Sequence, residues 1–385
     1  MPDYYLKTDG SKLVLDSPIG RGGEGCVYSV VGNADLAVKI YSDPTTKRAE
    51  KLQALATYSP PGAERSDGNF DVVWPVDQVY VKKGSRRKVV GLAMPRLYGR
   101  RSISCAYNPP MRIKLYPFFT YAHLHQIAVN LTHLVQVIHE VGFVIADLNH
   151  TNIFVAETVG VSMVDADSFQ VIDPNSRKMF RTIVRKAQYV PPELQSAHKS
   201  GQLDEIDATE HHDRFALGVV IYRLLFHGCH PYHGTSPLEA ISAGDFNHGI
   251  RNGVDLTDPV APNLTTVHPE LRLLIMRCFE AGHHNPAVRP SALEWKQALE
   301  AARDCLRDCQ ANAQHYYDRS MPSCPWCARL EATGVDLFPM PAERPATREP
   351  EAPRERPRTG TPLLFTMVVL VLLVMFSLIS THPIR

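Results

Sequence analysis

The sequence predicts an α+β chain of two lobes, a strand-rich small lobe followed by a helix-rich large one, on three observations. Up to about residue 100, short β-branched and apolar runs are separated by Gly, Pro, Asp and Lys clusters. From about 118 to 300, apolar residues recur at helical spacing. The 385 residues are 44% hydrophobic and 21% charged, which permits a sizeable core and excludes wholesale disorder.

The strand signals lie at 14–15, 27–30, 36–40, 76–81 and 89–94, with one helical stretch at 45–58 between them. In the large lobe, Leu124, Ile127, Leu131, Leu134, Val135 and Ile138 mark one face of a long helix over 118–141. Further helices are expected over 215–226 and 269–280. The expected organisation is a bilobal domain over 1–302 (small lobe about 10–97, large lobe about 98–302), a Cys/His module over 303–337, a linker over 338–362 rich in Pro, Arg and Glu, and an apolar helix over 363–380. At helical rise that last stretch covers roughly 27 Å, close to bilayer thickness. Arg344, Arg348, Arg354, Arg356 and Arg358 precede it, so the expectation is a C-terminal anchor in the inner membrane with the bilobal domain cytoplasmic. The opening Met1-Pro2-Asp3-Tyr4 lacks a basic and apolar leader, which also predicts a reducing compartment. The net charge of +1 gives no global field for nucleic acid.

Five motifs fall in one order, four of them bearing chemistry and the last scaffold, and each alone is weak. Gly20, Gly22 and Gly25, followed by Val27, form G-x-G-x-x-G, a loop through which backbone N–H groups can approach phosphate oxygens. A dinucleotide-binding turn would need a helix next; β-type residues continue instead, favouring a strand-loop-strand flap. Lys39 lies in an apolar strand nineteen residues after the first glycine, placed to hold phosphates, although a strand lysine is ordinarily a solvated edge residue. Glu50, on the helical stretch, is a candidate partner for it, with Glu64 a poorer second choice beyond Pro60-Pro61-Gly62. Asp147 and Asn152 supply a carboxylate for a hydroxyl proton and an amide oxygen for a metal. Asp165, thirteen residues beyond Asn152, would return beside it through a hairpin. Asp213, and an ion pair of Glu193 with Arg289, are expected as scaffold.

In their order and spacing these motifs resemble the eukaryotic-type Ser/Thr protein kinase superfamily over about residues 10–300. The resemblance implies ATP and Mg²⁺ as cofactors and protein substrates. It gives Lys39 the ATP-lysine role, Glu50 the helix glutamate, Asp147 the catalytic base, and Asn152 and Asp165 the magnesium. Met94 resembles the gatekeeper, and Pro95 to Leu97 the adenine hinge. The departures are Ile145-Ala146-Asp147 for His-Arg-Asp, Asn149 for the catalytic-loop lysine, Lys186 where a threonine is common, and Asp165-Ala166-Asp167 for Asp-Phe-Gly. Asp167 adds a metal ligand or fixes the loop. Asp165-Ala166-Asp167-Ser168-Phe169-Gln170 is similar to the D-x-D-S-[FY]-Q strand of a divergent bacterial group, the tellurium-resistance-associated and helix-hairpin-helix-fused kinases. The resemblance implies γ-phosphate transfer to protein hydroxyls, including autophosphorylation. The missing arginine and lysine leave a nucleotide-binding pseudokinase scaffold as the alternative. A small-molecule phosphotransferase is disfavoured by Tyr189-Val190-Pro191-Pro192-Glu193 and Arg289.

Cys309, His315, Cys324 and Cys327 offer three thiolates and an imidazole with the C-x-x-C spacing that presents two sulfurs to one zinc. Cys305 is an alternative to Cys309, and a redox pair or no metal are alternatives to zinc. A closed four-ligand site would be structural and would offer a surface for a protein partner.

Overall fold

The computed structural model of the chain describes residues 2–58, 61–62, 70–182, 185–233 and 263–341. Met1–Pro341 forms one compact unit. The small lobe begins with β1 (Tyr4–Leu6), β2 (Lys12–Leu13), β3 (Leu15–Arg21), β4 (Gly25–Val30) and β5 (Asn33–Tyr41). Then come α1 (Thr46–Leu55), β6 (Phe70–Val72), β7 (Asp77–Lys83) and β8 (Arg86–Pro95). All but β6 pair into one seven-stranded antiparallel sheet, ordered β2-β1-β7-β8-β5-β4-β3. Alternation along the strands sends Leu13, Val30, Val38, Val79, Val90 and Ala93 into one apolar layer. Leu52 and Leu55 of α1 pack with Leu92 in the main core. Thr45 starts α1 by accepting the backbone N–H of Arg48 at 3.2 Å.

The large lobe follows with β9 (Arg100–Ser102), α2 (Ser104–Tyr107), α3 (Pro109–Leu115) and α4 (Tyr121–Glu140). The expected apolar stripe of α4 is buried, and Thr120 and His123 cap its start reciprocally. Next come β10 (Ile153–Ala156), β11 (Val161–Met163), β12 (Val171–Ile172) and β13 (Met179–Phe180). β6, β11, β10 and β9 form a second sheet in that order. α5 (Gln195–Ser200) precedes α6 (Glu210–Leu225), which buries Phe215, Leu217, Val219, Val220 and Ile221. α7 (Pro269–Met276) runs on through a π turn to His284. α8 (Ala292–Asp304) opens on a capping box between Ser291 and Glu294. The chain then folds through β14 (Leu306–Asp308), β15 (Tyr316–Asp318) and α9 (Pro325–Thr333).

The membrane expectation is corrected. Among the described residues no helix is long and apolar enough to cross a membrane. α4 has the length, but it carries His123, His125, Gln126, Asn130, His139 and Glu140, and its apolar face is used up in the lobe core. The apolar segment 363–380 and nearly all of the linker lie outside the described residues. Among the described residues, the inner-membrane placement therefore has no helix to rest on.

Candidate functional site

The glycine motif is the turn between β3 and β4, and the Gly22 N–H bonds the Gly25 carbonyl at 2.9 Å. Gly25 is required by close approach: a Cβ there would sit 2.2 Å from the Ile40 carbonyl oxygen. The ladder sets Val27 opposite Lys39, and Ala37 opposite Met94 at the end of β8. Leu97 follows just past that strand, where the Arg96 N–H returns to the Asp35 carbonyl at 2.8 Å. Gly20, Gly22, Val27, Lys39, Met94 and Leu97 thus share the β3-β4-β5-β8 half of the sheet.

The hairpin predicted after Asn152 is β10–β11, with Ile153 opposite Met163. The Val164 N–H bonds the Asn152 carbonyl at 2.9 Å, so the chain enters Asp165 directly beside Asn152. Asp165 has φ 67° and Ala146 φ 62°. Such backbone costs a non-glycine residue on the order of 1 kcal/mol and persists where the surroundings over-determine it. For Ala146 the determinant is Asp213, whose carboxylate accepts the N–H groups of Ile145 and Ala146, both at 2.8 Å. The His139 ring nitrogen Nε2 lies 3.0 Å from the same carboxylate. Glu193 and Arg289 form a two-pronged pair at 2.7 Å each, with Arg289 wholly buried.

Asp147 accepts from the Lys186 N–H at 3.1 Å and the Asn152 amide at 3.2 Å. Burial pushes its carboxyl up to about 6, against the pull of those donors. Asn149 is fully buried. Its Nδ2 donates to the Asp147 carbonyl at 2.9 Å, and its Oδ1 accepts from the Thr151 N–H, also at 2.9 Å. It braces the loop from within, where the resemblance leads one to expect a lysine reaching outward.

Lys39 is buried and bonds Asp165 and Asp167 together, with Asp167 oxygens at 2.9 and 3.2 Å. The Tyr41 hydroxyl donates to Asp167 at 2.7 Å. Burial alone would lower the Lys39 ammonium, but the Asp167 and Asp165 charges outweigh it and hold the pKa well above the lysine range. Burial would raise Asp167 too; Lys39 and the tyrosine hydroxyl keep it low, and the neutralising tendency falls on Asp165.

The Glu50 expectation is corrected. Its carboxylate pairs with Lys178 at 2.5 Å, both about half exposed, and does not reach Lys39. α1 instead turns its basic residues to the acids. Arg48 holds Glu24 of the glycine loop at 2.9 Å, and Glu24 stands 3.6 Å from Lys39. Lys51 is pulled down to about 8 by burial, which Asp167, Glu24 and Asp165 only partly offset. Sequence reasoning missed Tyr41, Glu24, Arg48 and Lys51. Tyr41 carried a usable signal, since two residues from Lys39 on one strand means the same face, and so did Arg48 and Lys51, each four residues before a buried leucine, Leu52 and Leu55.

Cys309, His315, Cys324 and Cys327 form a second group, their ligand atoms all within 4.8 Å of one another.

Residues 112–300 match the family model described as protein kinase domain. The glycine loop and Lys39 lie before that range. The chain is 30% identical over 343 residues to "Protein kinase YegI" of Escherichia coli strain K12, covering 86% of this chain and 50% of the relative. It is 31% identical over 230 residues to "Probable serine/threonine-protein kinase CE0033" of Corynebacterium efficiens, covering 58% of this chain and 32% of that protein. The chain spans about half the length, or less, of the curated relatives it matches.

Proposed function

Because the chain is a member of the protein kinase superfamily, we propose that it is an ATP- and Mg²⁺-dependent protein kinase of Ser/Thr type acting on protein hydroxyls, its own among them. The observation that carries this reading is the meeting of Lys39, Asp165 and Asp167 in one buried cluster, with Asn152 joined to Asp165 through the hairpin and Asp147 bonded to Asn152. Lys39 holds the α- and β-phosphates, and the Gly20, Gly22 and Gly25 loop lies over them. Val27, Met94 and Leu97 line the adenine side. Asp165 and Asn152 would hold magnesium, which would supply positive charge to the transferring phosphates. Asp147 orients the substrate hydroxyl and takes its proton as that oxygen bonds to the γ-phosphorus and the bond to the β–γ bridging oxygen breaks, leaving ADP. A carboxyl pushed up to about 6 is a better proton acceptor than an ordinary aspartate while still ionised at neutral pH.

A second reading, a nucleotide-binding scaffold without transfer, is favoured by Asn149, buried and committed to the loop. Incubation with labelled ATP and Mg²⁺ separates the two. Label on the protein that vanishes in Asp147→Ala and Asp165→Ala supports the kinase. Nucleotide-dependent thermal stabilisation with no label on any protein supports the scaffold. The Cys309, His315, Cys324 and Cys327 group we read as a structural zinc site outside the transfer chemistry.

A further inference from the structure

We propose that the zinc held by Cys309, His315, Cys324 and Cys327 is the fastener of the large lobe itself: it fixes the turn that inserts Trp326 into the lobe core, with Asp336 as the carboxylate that orients His315. The inference rests on the zinc reading above and takes it further. Zn–S bonds of about 2.3 Å and Zn–N bonds of about 2.0–2.1 Å in a tetrahedron set S···S edges near ~3.8 Å and S···N edges near ~3.6 Å. Cys309 and Cys327 sulfurs are 3.6 Å apart, and His315 Nδ1 is 3.6 Å from the Cys324 sulfur and 3.4 Å from that of Cys327. Three of the six donor–donor distances thus match the edges of a zinc-sized tetrahedron, and all four donors lie within 4.8 Å of one another. Three thiolates and an imidazole suit zinc among the common metals, and four protein ligands close the site.

The second half of the site is Asp336. Its Oδ1 lies 2.9 Å from His315 Nε2. The Asn312 amide nitrogen also lies 3.1 Å from Nε2, but the carboxylate is nearer and only accepts, which favours the ring proton on Nε2 and turns the Nδ1 lone pair toward the sulfurs. Asn312 donates to the other Asp336 oxygen at 3.3 Å and holds it in place.

Trp326 lies between the two cysteines of the C-x-x-C turn and is buried. Its ring meets Tyr121 of α4 at 4.9 Å, His227 at 5.4 Å and Phe338 at 5.3 Å. Its Nε1 donates to the Tyr316 carbonyl at 2.6 Å. Next along the chain from Asp336, the Leu337 carbonyl accepts from buried Arg112 of α3 at 2.8 Å, and that guanidinium lies over the Phe338 ring at 4.5 Å. Cys309, Cys324, Trp326, Leu337 and Phe338 belong to the same apolar cluster as α4 and α6. The ligands thus tie both ends of a segment whose aromatic residues complete the lobe core, and metal binding becomes folding energy for the lobe.

The test uses the full chain. Metal analysis should find one zinc per chain, and cobalt reconstitution should give the absorption of a tetrahedral, sulfur-rich site. Stripping zinc with a chelator should lower Tm by about 5 °C or more and raise amide exchange in α4, with zinc alone restoring both. Asp336→Asn should fold and still take zinc, about 10–100-fold more weakly. One bound zinc whose removal moves neither Tm nor α4 exchange overturns the fastener and leaves the zinc site standing. No stoichiometric metal, as purified or after zinc reconstitution, overturns the site. Asp336→Asn binding zinc like the parent chain overturns the role of Asp336. No readout depends on phosphoryl transfer, so each failure is distinct from failure of the kinase reading.

Discussion

Asp167, and not an acid on α1, is the residue that anchors Lys39, and a pair of substitutions separates the two. Asp167→Asn keeps the shape but removes the charge from a carboxylate that meets Lys39 at 2.9 and 3.2 Å and Tyr41 at 2.7 Å. Hydrogen bonds to charged groups are worth about 1.5–3 kcal/mol each, and the asparagine oxygen can keep one of them. Asp165 and Glu24 remain near Lys39, so the full penalty of an unpaired buried charge does not apply. The expected loss is about 2 kcal/mol of Lys39 positioning. If that loss appears in nucleotide binding, Mg·ATP affinity falls by about 30-fold. Glu50→Gln removes one half-exposed pair with Lys178, worth about 0–1 kcal/mol, and should change affinity by under about threefold. Titration calorimetry with Mg·ATP reads both. A tenfold loss in Glu50→Gln together with parent-like binding in Asp167→Asn would refute the assignment.

Acid should weaken the fold partly through His125, which is buried, donates to the Tyr121 carbonyl at 3.0 Å and is held down at about 4 by that burial. The unfolded chain takes this proton near 6.5 and the folded chain only near 4, so stability is complete above about 6.5 and is lost as pH falls between the two, by about 1.4 kcal/mol per unit. Urea unfolding of His125→Gln should show a slope shallower by one proton in that window, and an unchanged slope removes His125 from the account. Glu193→Ala leaves the Arg289 guanidinium buried without its carboxylate and should cost about 3–5 kcal/mol in urea unfolding; a loss under about 1 kcal/mol would make the pair incidental. Gly25→Ala meets the Ile40 carbonyl and should cost about 1–3 kcal/mol by overpacking while weakening Mg·ATP binding; wild-type values for both would show that the glycine loop yields freely.

Much of the candidate site was legible in the sequence because its parts are local. A glycine loop between β-type runs, an Asp five residues before an Asn, and an acid at a strand end each declare their backbone setting, and the β10–β11 hairpin fixes Asn152 beside Asp165 by chain length alone. The strands at 27–30, 36–40, 76–81 and 89–94 were legible from β-branched runs. The Cys/His set was legible from spacing. β1 and β2 were not, being too short for a pattern, and they exist because β1 adds to the free edge of β7.

The sequence alone determined which groups could do chemistry and the order in which the lobes are built. Tertiary structure decided which acid serves which base. α1 reads Thr-Lys-Arg-Ala-Glu-Lys-Leu-Gln-Ala-Leu, polar on most of its surface. Glu50 and Lys51 are about 100° apart around it, so a rotation of one residue exchanges an inward acid for an inward base. In so polar a helix only the short apolar face around Leu52 and Leu55 specifies that rotation, and their packing with Leu92 in the core sets it. With Glu50 turned outward, the burial of Lys39 had to be balanced from elsewhere, and Asp167 supplies the charge.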